Sequence, residues 1–64
     1  MDIFNASELC LLLADMGRGA EAVPVFQEMQ RQFGAEAGSP LANKIGMTAA
    51  YEAAKARLHE AGVV

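Results

Sequence analysis

A chain of 64 residues, 53% hydrophobic and 20% charged, has a globular composition and room for one domain, residues 1–64, around one thin core. That leaves no volume for an enclosed active-site cavity beside the core. Eight acids against five bases give a net charge of −3, which disfavours non-specific binding to phosphates.

The charge is unevenly spread. Residues 1–38 hold six acids against Arg18 and Arg31, whereas residues 39–64 hold Lys44, Lys55 and Arg57 against Glu52 and Glu60. Only the C-terminal part suits a polyanion. The single cysteine, Cys10, cannot form an internal disulfide. Asp2 follows Met1 with no basic stretch before the apolar run, and Leu9 to Ala14 is far too short to span a membrane. The expected location is cytoplasmic.

The first predicted helix spans residues 6–16. Asn5 is its N-cap, Glu8 completes a capping box, and Phe4 and Leu9 stand where a hydrophobic staple places them. Ala6, Leu9, Leu12, Leu13 and Met16 share a face by their spacing of three and four; Cys10 and Leu11 do not. Gly17 is the left-handed stop.

The second predicted helix spans residues 20–33, with Ala22, Phe26, Met29 and Phe33 as its stripe and Gly34 as its end. Pro24 inside it predicts an irregular first turn, or a regular helix that starts near Val23. The short linker over residues 35–38 predicts that helices two and three are antiparallel neighbours.

The third segment spans residues 40–61, opened by Ser39 and Pro40 and closed by Gly62. Leu41 and Ile45 share one face, whereas Met47, Tyr51, Ala54, Leu58 and Ala61 share another, rotated by about 140°. Gly46 sits at the changeover and predicts a bend or break, with Thr48 as the cap of a new helix. The fold expected is all-α: a bundle of three helices, or four if the third segment breaks at Gly46.

Chemistry is sparse. His59 and Cys10 have no acid or nucleophile at a catalytic spacing, no Cys/His cluster has metal-ligand spacing, and Gly17-Arg18-Gly19 lacks the strand that a phosphate loop needs. Cys10 reads as a small buried hydrophobe and His59 as a helix-end residue. No catalytic, cofactor-binding or metal-binding residues are expected, and the chain does not read as an enzyme.

Residues 9–29 resemble a single tetratricopeptide-type helical hairpin. Leu9 takes the large apolar position of the first helix and Cys10 the small one; Leu13 stands where an aromatic is usual. Gly17 is the turn glycine, and Ala22 and Phe26 are the small and large positions of the second helix. That resemblance implies a protein-interaction scaffold. Residues 41–64 look like a truncated helix-turn-helix or winged-helix segment, with Ala42 four before the turn glycine Gly46. That resemblance implies DNA binding.

Two functional readings follow. The first is a small acidic protein-protein interaction module (an adaptor, chaperone subunit or inhibitor) that binds another protein or itself through exposed apolar helix faces. Leu11, Val25, Met47 and Tyr51 are the interface candidates, because three thin helices cannot cover every apolar side chain. The alternative is a small helix-turn-helix DNA-binding regulator that uses residues 40–62, with Lys44, Thr48, Lys55 and Arg57 as contacts. Its candidate recognition helix carries as many acids as bases, which ranks it second.

Overall fold

A computed structural model describes residues 2–35 and 41–64, and the side chains of residues 2–34 and 45–64. Three α-helices carry the chain: α1 (Ile3–Asp15), α2 (Val23–Ala35) and α3 (Leu41–Glu60), with a 3-10 turn over Gly19–Ala22. There is no strand among the described residues. The architecture is the all-α bundle of three helices.

α1 starts three residues before the predicted position. Asp2, not Asn5, is the N-cap: its Oδ1 accepts the Asn5 backbone N–H at 2.8 Å. Either residue can cap, and the earlier start brings Ile3 into the core at 3% exposure. With the cap at Asp2, Phe4 is not a staple residue and stands 52% exposed.

The C-terminal ends of α1 and α3 follow one pattern. Gly17 and Gly62 take φ of +73° and +75°. After α1, Arg18 N–H donates to Leu13 O and Gly17 N–H to Ala14 O; after α3, Val63 N–H donates to Leu58 O and Gly62 N–H to His59 O. Both are Schellman caps, in which two otherwise orphaned carbonyls are satisfied by the residues that leave the helix.

The regular part of α2 opens at Val23, so Pro24 lies in its first turn, where its missing N–H costs no helical hydrogen bond. The preceding turn is the irregular 3-10 segment. Gly34 does not end α2, which runs on to Ala35. The expected start signals Ser39 and Pro40 lie outside the described residues.

α3 is one continuous helix through Gly46, whose φ is not positive. The predicted break is absent, and Thr48 is an exposed residue within the helix rather than a cap. What changes along α3 is its exposure. Ile45 faces outward at 64% exposed, whereas Met47, Ala54 and Leu58 are buried. Gly46 serves packing: a Cβ there would meet the Phe4 ring at 3.4 Å.

The helices run up, down, up. Phe4 lies against Gly46, Ser7 Oγ donates to Ala50 O at 2.8 Å, and Arg57 reaches Asp15 at 3.1 Å, so α1 and α3 are parallel. α2 runs antiparallel to both. Phe26 and Phe33, seven residues apart, are separated by about 10.5 Å along the axis. The Tyr51 ring fills that gap, with centroids 5.4 and 5.0 Å from theirs and planes within 19°.

The core is built from Ile3, Ala6, Cys10, Leu13 and Ala14 of α1, Ala22, then Phe26 and Met29 of α2, and Met47, Ala54 and Leu58 of α3. On α1 the buried arc differs from the predicted face. Cys10 is fully buried, whereas Leu12 and Met16 are 55% and 53% exposed. The cause is that α1 has two neighbours. The small residues Ala6, Ser7, Cys10 and Ala14 let α2 and α3 approach together, which turns the larger Leu12 and Met16 to the outside.

Candidate functional site

The site follows from how α1 is covered. Leucines and other apolar residues occur all round α1, the pattern of a helix buried on every side. Yet α2 and α3 cover only two sides. The remaining arc leaves Phe4, Leu12 and Met16 each about half exposed. With Glu8, which is also exposed, they stand at successive i, i+4 positions. Positions so spaced form one continuous ridge on a helix surface. Phe4 at the start of the ridge lies against Gly46 of α3, whose sequence neighbour Ile45 is 64% exposed.

The electrostatics of this face are one-sided. Asp2, Glu8 and Asp15 are its acids, and residues 1–17 contain no lysine or arginine. Asp2 is the helix cap and Asp15 is held by Arg57, whereas Glu8 forms no ion pair among the described residues. Two other surface pairs lie elsewhere: Arg18 with Glu21 at 2.6 Å, and Arg31 with Glu28 on α2.

The sequence-predicted interface residues are not brought together. Met47 is 8% exposed and belongs to the core, which corrects its assignment to an interface. Tyr51 is half-buried between Phe26 and Phe33, and its hydroxyl accepts from Gln30 Nε2 at 3.3 Å. Val25 is half-buried against the core. Leu11 is half-buried too, and the more exposed residue is its neighbour Leu12, at 55%. Phe4, Leu12 and Ile45 were missed as surface residues. The signal for them was the wrap of apolar residues round α1.

The DNA-contact candidates are likewise dispersed. Arg57 points to α1, where Nη2 and Nε lie 3.1 and 3.2 Å from Asp15 Oδ1. Lys55 instead lines a groove between α2 and α3. Thr48 is exposed, and the side chain of Lys44 lies outside the described residues. The position of the expected turn glycine is helical.

That groove, about 470 Å³, is lined by residues that include Phe26, Gln30, Glu52, Lys55, Ala56 and His59. His59 Nδ1–H donates to Val64 O at 3.1 Å, which fixes the ring at the helix end. Among the described residues, no group of three or more His, Cys, Asp or Glu is placed to hold a metal ion. Burial pushes the Cys10 thiol upward, away from thiolate chemistry. Its Sγ is 3.9 Å from Ala22 O and 4.0 Å from Met29 Sδ.

No family model, curated protein or solved structure matches the chain. No described helix is long and apolar enough to cross a membrane.

Proposed function

We propose that this chain is a small acidic protein-protein interaction module of the cytoplasm, without enzymatic activity, that binds through the outer face of α1 and the adjoining start of α3. The observation that carries the reading is the exposure of Phe4, Leu12, Met16 and Ile45 at 52%, 55%, 53% and 64%. Four large apolar side chains left in water forgo burial worth roughly 1.5–3 kcal/mol each when complete. Clustered exposure of this kind marks an interaction surface. The antiparallel α1–α2 hairpin with Gly17 at its turn and Ala22 buried at 0% is compatible with the tetratricopeptide-type resemblance.

The test is affinity capture from the native source with the wild type and with Leu12→Asp, followed by mass spectrometry. The expected result is a protein retained by the wild type and lost by a variant whose circular dichroism is unchanged. Identical capture by both removes the α1 face from consideration.

DNA binding by residues 40–62 has less support, because α3 is unbroken at Gly46 and Lys55 and Arg57 face different neighbours. A polarisation titration at about 0.15 M salt decides it: sub-micromolar, salt-sensitive binding reverses the ranking.

A further inference from the structure

We propose that the partner's contribution to this face is a basic amphipathic helix, packed along the Phe4–Glu8–Leu12–Met16 ridge of α1. The inference rests on the interaction reading above and specifies its partner chemistry.

The ridge has the geometry of a helix-packing element. Its four residues span about 18 Å along α1, roughly three helical turns. An i, i+4 ridge seats in the matching groove of a second helix, at a crossing angle of about −50°. A partner with apolar residues at the same spacing would cover Phe4, Leu12 and Met16 and reach Ile45 at one end.

Charge chooses between occupants. Glu8 lies within the ridge, so any helix seated there removes its carboxylate from water. A carboxylate buried without a counter-charge is costly. A second copy of α1 cannot supply that charge, because residues 1–17 contain no lysine or arginine. Antiparallel pairing of two ridges would set each Glu8 against Leu12 of the other copy. On the adjoining α3, Arg57 is already engaged by Asp15. A foreign helix flanked by lysine or arginine meets both requirements. It places cations against Glu8 and the acidic flanks while its apolar face covers the rest.

The experiment uses the full chain and two synthetic amphipathic helices with the same leucine face, one flanked by lysines and the other by glutamates. Binding is read by fluorescence polarisation and by NMR shift mapping. The lysine peptide is expected to bind at least about 10-fold tighter, with shifts centred on Phe4, Glu8, Leu12 and Met16. Leu12→Asp should weaken it by about 10-fold or more. Glu8→Gln should weaken it and flatten its salt dependence, whereas Glu28→Gln, on α2, should leave it unchanged. Equal binding of the two peptides overturns the charge assignment and leaves an apolar docking face. Equal losses for Glu8→Gln and Glu28→Gln overturn the ridge in favour of diffuse attraction. A wild-type dimer in sedimentation that Leu12→Asp dissolves identifies a second copy as the occupant and overturns the foreign helix. Absence of binding by either peptide at millimolar concentration overturns this inference and leaves the interaction reading to the capture experiment.

Discussion

Val63 seats on Gly19: a Cβ built at Gly19 would lie 2.6 Å from Val63 Cγ2, closer than any side chain allows. The contact joins the segment after the first Schellman cap to the segment leaving the second. Val63 is the residue that donates to Leu58 O, so the cap that ends α3 also folds the chain back onto the α1–α2 turn.

Gly19→Ala is therefore expected to destabilise the fold by about 1–3 kcal/mol, the range for overpacking a filled site. In a domain of this size each kcal/mol moves the melting temperature by about 4–8 °C. Valine is stiff about χ1 and cannot swing clear within its rotamer. Adding Val63→Ala should restore part of the loss, and a thermal double-mutant cycle measures that coupling. Independent effects of the two changes would show that the contact is unimportant.

Gly46→Ala is expected to act in the opposite direction. Gly46 is helical and, among the described residues, its added methyl would meet only the half-exposed Phe4 ring, at 3.4 Å. The helix-propensity gain of up to about 1 kcal/mol should dominate. A higher melting temperature is the expected observation; a lower one would mean that the Phe4 contact cannot relax.

Cys10 should be chemically silent in the folded chain. It is fully buried and its thiol is pushed upward by burial. Reaction with an aromatic disulfide reagent then requires opening of the bundle. A small core worth about 3 kcal/mol gives roughly 100-fold slower labelling than in denaturant. Labelling at the denatured rate in buffer would place Cys10 at the surface.

Glu28 should titrate well below the ordinary glutamate range. Its oxygens accept from Arg31 and, at 3.0 Å, from Gln32 Nε2, and the hydrogen bonds from Arg31 hold it at about 2 against an ordinary value of 4.5. Because the folded value is depressed, any stabilisation is present above about 4.5 and is lost as pH falls toward about 2. An NMR titration of the side-chain carboxyl carbons should find this midpoint, and Arg31→Ala should return it toward 4.5. An unshifted midpoint in the wild type would show that the ion pair does not persist in solution.

The all-α class, three helical segments, the Gly17 stop, the Gly62 stop and the apolar stripe of Ala22, Phe26 and Met29 were all legible in the sequence. Each is a local property, set by spacing along one helix or by the backbone freedom of one glycine. The rest depended on neighbours. Asn5 and Asp2 are both competent caps, and what selects Asp2 is the core that receives Ile3. The continuity of α3 through Gly46 was not legible, because a change of apolar face fits a broken helix as well as a continuous one that leaves Ile45 in solvent. The candidate site was hidden for the same reason. The run Leu11-Leu12-Leu13 offers apolar surface in every direction, and only the positions of α2 and α3 decide which leucine faces the core and which faces out. Local sequence sets helix limits and composition; the direction of burial is decided by where two other helices fit, and small Ala6, Cys10 and Ala14 admit them more closely than leucine can.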